Sequence, residues 1–146
     1  RLNAGKITNF TTFLTGELFE LLTRQSTLSN AAEPEFDPEA FAAGVAASRT
    51  LGLSAALFQT RARVVLGSLP ASGSRAFLSG ALIGAELSTL CGDAARPLVL
   101  AAGADLAREY ALALREVLPD SRVTEVTPAE LAAAVVAGHT LVLKHP

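Results

Sequence analysis

Apolar positions recur with the helical period of about 3.6 residues through most of the chain and form strand-like runs near its start and in its last third. The first such run, residues 7–14, is rich in Ile, Thr and Phe and predicts a strand. A helix is predicted directly after it, because three leucines between residues 18 and 22 share one helical face and Thr15 is a candidate N-cap. Residues 26–35 are polar and contain a proline, which predicts a surface loop.

Three further helices are predicted in the middle of the chain. Residues 37–39, Asp-Pro-Glu, combine an N-cap, a proline at the first helical position and an acid in the first turn, so a helix is expected from there to Gly52. Ser54 is the expected cap of the next helix. The apolar side of that helix is predicted to carry Leu57, Phe58, Ala62 and Val65. The longest helix is expected over residues 74–90, after a turn-rich break.

The last third of the chain predicts a β-α-β-α-β order. Residues 97–102 are a short run typical of a buried strand, and residues 122–126 predict a second strand. The helix between them is expected to begin at residues 103–105. A second helix is expected over residues 128–138, and residues 139–143 are expected to form a closing strand. This alternation predicts parallel strands joined by crossover helices, which is an α/β fold.

Composition restricts the class of protein. The 146 residues fit one domain, and with 50% hydrophobic and 18% charged residues a folded core is expected. A net charge of -2 without a basic stripe argues against nucleic acid as a partner, and no apolar run approaches the ~20 residues of a membrane span. Cys91 has no second cysteine to pair with, which fits a reducing cytoplasm. Because the chain starts at Arg1 without a methionine, we expect it to be a piece of a longer protein.

A first candidate site lies in the stretch "LVLAAGADLAREY", residues 98–110. A strand, a small-residue turn and a helix place free N–H groups at the carboxyl edge of a sheet, where open α/β sheets bind ligands. Gly103 and Ala104 would let a flat ring or a phosphate approach the backbone, and Asp105 follows them in the first turn of the helix. The alternative is a plain turn that needs small residues only for packing.

A second candidate site lies in "FLSGALIGAEL", residues 77–87. Gly80 and Gly84 share one helical face, and each costs roughly 1 kcal/mol relative to alanine inside a helix. Either a close helix crossing or a ligand against the bare backbone would offset that cost. Glu86 lies among apolar residues of the same helix, where it would meet a ribose hydroxyl, an arginine or a structural ion-pair partner.

Two further features give weaker signals. In "LFQTRAR", Arg61 is expected to be partly buried and to bind a carboxylate or phosphate, or to form an interhelical salt bridge. His139 and His145 do not have the spacing of a metal site, so no metal ligands are predicted.

Four stretches, in the order in which they occur, resemble one family. They are "GKITNFTTFLTGELFELL", "FQTRAR", "FLSGALIGAEL" and "LVLAAGADLAREYALAL". Together they look like the C-terminal half of 2-dehydro-3-deoxygalactonokinase, and the resemblance extends from Gly5 to Leu143. Its most specific parts are residues 15–19 and the glycine-containing segment at residues 79–86.

The resemblance implies a fold, a reaction and a setting. The fold is the C-terminal lobe of an actin-like (ribonuclease H-like) sugar kinase, with a mixed sheet flanked by helices. The reaction is transfer of the γ-phosphoryl group of ATP, with Mg²⁺, to the 6-hydroxyl of 2-dehydro-3-deoxy-D-galactonate. The setting is galactonate degradation in the cytoplasm, with the sugar acid, ATP and the N-terminal lobe of the same protein as partners and a homodimer as one possible assembly.

The resemblance also assigns roles to residues of this chain. Residues 103–105 match the adenosine-binding turn, and the helix of Gly80, Gly84 and Glu86 lies nearby. Thr15 and Gly16 would face the phosphates of the nucleotide or the hinge. No catalytic residue is expected in residues 1–146, because the phosphate loops and the catalytic aspartate belong to stretches of the family that are absent from this chain.

Two other functions fit the residue pattern. The chain could be a non-catalytic α/β interaction domain that docks a partner through the Gly80/Gly84 helix face. It could also be an unrelated α/β domain that binds another nucleotide or coenzyme. Phosphate loops in the chain upstream of Arg1 would distinguish a kinase from the docking domain, and binding of ligands other than adenine nucleotides would indicate the unrelated domain.

Overall fold

The computed structural model describes residues 1–25, 36–91 and 97–144, so the predicted loop at residues 26–35 lies outside the described residues. Helices predominate, and the predicted α/β class is confirmed. The strands are β1 (Leu2–Asn3), β2 (Lys6–Ile7), β3 (Leu98–Leu100) and β4 (Val123–Glu125). The helices are α1 (Thr15–Gln25), α2 (Pro38–Leu51), α3 (Leu53–Val65), α4 (Ser74–Ser88), α5 (Ala104–Val117) and α6 (Pro128–Lys144), with a 3-10 turn at Ala71–Gly73 before α4.

The core is built around α4, which is buried along most of its length. Three glycines bring α4 and α2 together: a Cβ at Gly80 would overlap the carbonyl oxygen of Phe41, and a Cβ at Gly44 would overlap that of Phe77. At Gly84, a Cβ would lie 2.6 Å from the Ser48 hydroxyl oxygen. The close helix crossing therefore explains the glycines. The prediction of a free docking face at Gly80 and Gly84 is wrong, because α2 covers it.

The start and end of α2 confirm the sequence signals. The Asp37 carboxylate accepts a hydrogen bond from the Ala40 amide at 2.9 Å, and Pro38 occupies the first helical turn, where its missing N–H costs nothing. The helix ends at Gly52, whose φ of 81° is a conformation that glycine adopts without strain. These are local effects of neighbouring residues, so the sequence predicts them well.

The predicted buried face of α3 is wrong. The helix begins at Leu53, so Ser54 is inside it rather than at its cap, and the fully buried residues are Ala56 and Thr60. Phe58 is 70% exposed, and Arg61 is also exposed rather than partly buried. Small side chains allow a helix to approach its neighbours closely, so packing against α2 and α4 selected a different face from the most apolar one. Of the four residues predicted to be buried, Phe58 and Val65 are exposed and Leu57 and Ala62 are half-buried.

The predicted strand at residues 7–14 is present only at its start. β1 and β2 form a short antiparallel hairpin in which Leu2 pairs with Ile7. Residues 8–14 carry the side chains of Phe10 and Phe13 in exposed positions and lead directly into α1. A strand requires a hydrogen-bonded neighbour, and within the described residues nothing pairs with this segment beyond the hairpin.

The C-terminal region confirms one β-α-β unit and corrects the rest. β3 and β4 pair in parallel with Leu98 opposite Val123, and α5 connects them. The predicted end of a helix at Gly138 and strand at residues 139–143 are wrong, because α6 continues to Lys144. Gly138 does not have the positive φ that ends a helix, and the Thr140 hydroxyl donates to the Val136 carbonyl one helical turn earlier at 2.9 Å.

The expected mixed sheet is divided in the described residues into two separate two-stranded sheets, one antiparallel and one parallel. Of the helices in residues 1–25, 36–91 and 97–144, none combines the length and the apolar character needed to cross a membrane.

Candidate functional site

The starts of α1 and α5 meet over the middle of α4 and enclose a cavity of about 240 Å³. Its lining residues come from three segments that are far apart in the sequence. They are Thr15, Gly16 and Phe19 of α1, Ser79, Leu82 and Ile83 of α4, and Asp105, Leu106, Glu109 and Tyr110 of α5. Helix starts carry amide N–H groups without intrahelical partners, so this arrangement suits ligand binding.

The carboxylate of Glu86 connects the three helices at the edge of this cavity. Its Oε2 atom accepts a hydrogen bond from the Thr15 hydroxyl at 2.5 Å and another from the Tyr110 hydroxyl at 2.8 Å. Thr15 is the first residue of α1 rather than its N-cap. Its hydroxyl forms a hydrogen bond to α4 instead of capping α1. Glu86 thus has hydrogen-bond partners, as a half-buried carboxylate requires.

The polar lining of the cavity is acidic. Asp105 and Glu109 lie one turn apart on α5 and both contribute to the wall, and the Ser79 hydroxyl of α4 donates to the Glu109 carboxylate. None of the described residues that line the cavity is basic. Carboxylate oxygens accept hydrogen bonds and repel phosphate, so the interior suits a ligand part that carries hydroxyl or amine donors.

The other walls are apolar. Leu82 and Ile83 are buried in the core helix, while Leu106 at the cavity mouth is 50% exposed. The ring of Phe19 forms part of the wall, and the Arg75 guanidinium lies 4.7 Å from the centre of that ring. An apolar lining with a few polar groups is the usual composition of a small-molecule site.

Several residues predicted from the sequence come together here. Thr15, Gly16 and Asp105 line the cavity, and Glu86 holds two of its wall residues by hydrogen bonds. Gly103 immediately precedes α5, and a Cβ placed on it would meet no atom within 4 Å, so its backbone is open to a ligand.

The other predicted residues lie elsewhere. Ala104 is in the first turn of α5 but lines a separate cavity of about 510 Å³ between α5 and the start of α6. Gly80 and Gly84 are on α4 and face α2, where close packing explains them. Their role in ligand binding stays a prediction.

Three polar residues of the site were not predicted from the sequence: Ser79, Glu109 and Tyr110. The spacing of Asp105 and Glu109 would have indicated two carboxylates on one face of α5. No signal in the sequence shows that Tyr110 reaches Glu86, because the contact depends on how α4 and α5 pack.

The protonation state of Tyr110 gives a testable property of this site. Burial, and then the hydrogen bond to the Glu86 carboxylate, raises the pKa of the Tyr110 phenol well above its ordinary value of 10.0. The native protein then keeps a proton that the unfolded chain releases, so the free energy of unfolding is expected to fall as the pH rises above about 10. Tyr110 is the one tyrosine of these 146 residues, and the difference in phenolate absorbance between the wild-type protein and Tyr110→Phe reports this residue.

The expected result is a native phenol that stays protonated when the denatured chain titrates near pH 10. The Tyr110→Phe variant is the control, since it should lack both the absorbance change and this part of the pH dependence. A native midpoint equal to that of the denatured chain would show that Tyr110 is not buried against Glu86.

Comparison with known proteins finds similarity to one family whose members are named as kinases. A sequence model of the family described as 2-keto-3-deoxy-galactonokinase matches residues 1–138. The 2-dehydro-3-deoxygalactonokinase of Escherichia coli (strain K12) is 37% identical over 112 residues, which are 74% of this chain and 38% of that protein. A protein of Rhizobium meliloti (strain 1021), named "Probable 2-dehydro-3-deoxygalactonokinase", is 40% identical over 97 residues, covering 60% of this chain and 31% of that protein.

A solved structure is also similar. It is the crystal structure of a Sinorhizobium meliloti protein assigned as a 2-dehydro-3-deoxygalactonokinase, and it matches with a TM-score of 0.77 at 31% sequence identity. The match covers 94% of this chain and 48% of that one. The matched residues therefore cover less than half the length of each of these relatives.

Proposed function

We propose that this chain, which belongs to the 2-keto-3-deoxy-galactonokinase family, supplies the nucleotide-binding half of a sugar-acid kinase. The family predicted from the sequence is confirmed by the match over residues 1–138. The complete enzyme would transfer the γ-phosphoryl group of ATP to the 6-hydroxyl of 2-dehydro-3-deoxy-D-galactonate. This chain would be its C-terminal, adenosine-binding lobe, and the remaining half would supply the phosphate loops and the acceptor base that phosphoryl transfer requires.

The cavity between α1, α4 and α5 supports this assignment more than any other feature. Its volume of about 240 Å³ is below the roughly 300–1,000 Å³ of pockets that enclose a whole ligand, so it would take one end of a nucleotide. The carboxylates of Asp105 and Glu109 would accept hydrogen bonds from ribose hydroxyls or an exocyclic amine and would repel phosphates. The nucleoside would therefore lie inside, with the phosphate chain directed outward.

The start of α5 would contribute to the same site from its rim. Gly103 leaves the backbone uncovered there, and the first amide groups of a helix favour negative or electron-rich ligand atoms. A flat ring or a phosphate oxygen could approach to contact distance at this position. Thr15 and Gly16 form the opposite rim, at the start of α1.

Magnesium would enter this site with the nucleotide. Within the described residues, no three His, Cys, Asp or Glu side chains group closely enough to hold a metal ion. Mg²⁺ would neutralise charge on the phosphates of ATP. Under this proposal, the phosphates lie outside the acidic cavity. The residues of this chain would bind and orient the nucleoside, and the sugar acid would be bound by the other half. Because of its family, we also propose that the protein acts in galactonate degradation in the cytoplasm.

Ligand fragments test the orientation of the nucleotide. In calorimetry on the full-length protein, we expect ADP and adenosine to bind and inorganic tripolyphosphate to bind at least about tenfold more weakly than ADP, which corresponds to about 1.4 kcal/mol. Leu106→Trp should fill the cavity mouth and weaken ADP binding by a similar factor, because Leu106 lines the cavity and is half exposed. Leu141→Trp on the exposed surface of α6 is the matched control.

A coupled ATP assay with 2-dehydro-3-deoxy-D-galactonate tests the reaction itself. Adenosine that fails to bind, or a Leu106→Trp variant with unchanged ADP affinity, would refute the placement of the nucleoside. Binding of a different nucleotide or coenzyme, without binding of ATP, would instead support an unrelated nucleotide-binding domain.

A further inference from the structure

We infer that Tyr110 is a positioning residue of the nucleotide site, which acts through the Glu86 carboxylate to hold the start of α1 against α5. The inference rests on the proposed function, because it concerns the same cavity. Tyr110 would not need to touch the reacting atoms. It would instead keep Thr15 and Gly16 in place as one wall of the cavity.

The first observation is that α1 is weakly attached to the rest of the molecule. None of its residues is fully buried, whereas α4 is buried along most of its length. The Thr15 hydrogen bond to Glu86 and the contact of Phe19 with the Arg75 guanidinium are two of the contacts that hold α1, in addition to half-buried apolar side chains such as Leu18. The Thr15 hydrogen bond is at the end of α1 that forms the cavity wall, so it contributes directly to the position of that wall.

The second observation is that a single oxygen atom serves both helices. Oε2 of Glu86 accepts from Thr15 on one side and from Tyr110 on the other. Each donor limits the rotation of the carboxylate and thereby fixes it for the other donor. Loss of the Tyr110 hydroxyl would leave a half-buried carboxylate with one donor fewer, and Thr15 would lose a fixed acceptor.

The third observation is that this link is separate from the main core. The large buried side chains, including Phe41, Phe77 and Ile83, belong to α2 and α4, and the core cluster contains no described residue of α1. Phenylalanine at position 110 would retain the aromatic ring that packs against this core. In the Tyr110→Phe variant, α1 should therefore shift while the rest of the fold is retained. Nucleotide affinity should then fall without a large change in the stability of the protein.

Steady-state kinetics of the full-length enzyme test the inference. We expect Tyr110→Phe to raise the KM for ATP and the dissociation constant of ADP by about tenfold, the value of one hydrogen bond to a charged group. The kcat should stay within about twofold and the melting temperature within about 4 °C of the wild type. Thr15→Val should give the same pattern, whereas Thr23→Val, at the far end of α1, should leave all four quantities unchanged.

Two further comparisons distinguish positioning from a structural role. Glu86→Gln keeps an oxygen that accepts from both hydroxyls, so it should recover most of the ADP affinity that Glu86→Ala loses. The double variant Thr15→Val/Tyr110→Phe should be no worse than the worse single variant, because both remove one link.

The inference is overturned if Tyr110→Phe lowers the melting temperature but leaves the KM for ATP and the ADP affinity at their wild-type values. Simple addition of the two single effects in the double variant would also overturn it, since independent contacts add. Absence of ADP binding to the wild-type protein is a different result, which would refute the proposed function itself.

Discussion

Replacement of Gly80 by alanine is expected to destabilise the protein by more than about 3 kcal/mol, a large fraction of the stability of an ordinary domain. The added Cβ would overlap the carbonyl oxygen of Phe41 and lie 2.9 Å from its carbonyl carbon. Both atoms belong to the backbone of α2, so no side-chain rotation can relieve the overlap. The two central helices would have to move apart, and the close packing between them would be lost.

Chemical denaturation measures this effect, and Gly138→Ala provides a matched control. Gly138 is also inside a helix, but a Cβ there would meet no atom within 4 Å. The same substitution should therefore stabilise the protein by about 1 kcal/mol, which is the difference in helix propensity. Equal effects of the two substitutions would contradict the close approach of α2 and α4.

Replacement of Gly103 by valine is expected to reduce the affinity for ADP by more than about a hundredfold, which corresponds to about 2.7 kcal/mol, while the fold is retained. The backbone at Gly103 has φ of -63° and ψ of 157°, a conformation open to any L-residue, and its surroundings are empty. The cost to folding is then limited to a poorer helix cap. Under the proposed function, the branched side chain would occupy the space through which the nucleotide would approach the start of α5.

Calorimetry with ADP, together with a melting temperature for each variant, measures both parts of this prediction. Ala101→Val, two residues earlier at an exposed position between β3 and α5, is the control for a similar change at the surface. Wild-type ADP affinity in Gly103→Val would show that the nucleotide does not approach at this turn. A variant that is unfolded would show that Gly103 has a structural role that its open surroundings do not indicate.

The elements that the sequence predicted well depend on neighbouring residues. Asp37 starts α2 by capping it with its side chain, and Pro38 contributes a fixed φ in the first turn. Gly52 ends the helix with a positive φ. Each effect operates within a few residues. The β-α-β unit of β3, α5 and β4 also follows from its alternating pattern. The family resemblance identified the right kinase family from short segments for the same reason, since a motif is a local arrangement of residue types.

The wrong predictions concern long-range choices. Residues 8–14 have strand-forming composition, but a strand exists only when another strand pairs with it. The C-terminal residues of α6 include strand formers, but they continue a helix whose start is fixed by hydrogen bonds between Thr127 and Glu130. On α3, the buried face was decided by contact with α2 and α4 rather than by hydrophobicity.

By itself the sequence determined the helix boundaries with clear caps, the α/β class, the kinase family and the identity of Thr15, Gly16, Glu86 and Asp105 as candidate site residues. Only the tertiary structure decided that these four residues meet, that Tyr110 joins them through Glu86, and that Gly80 and Gly84 face α2. The physical reason is distance along the chain. Hydrogen bonds between residues 15, 86 and 110 require three helices to pack in one arrangement, which is fixed by the whole core and by no single segment.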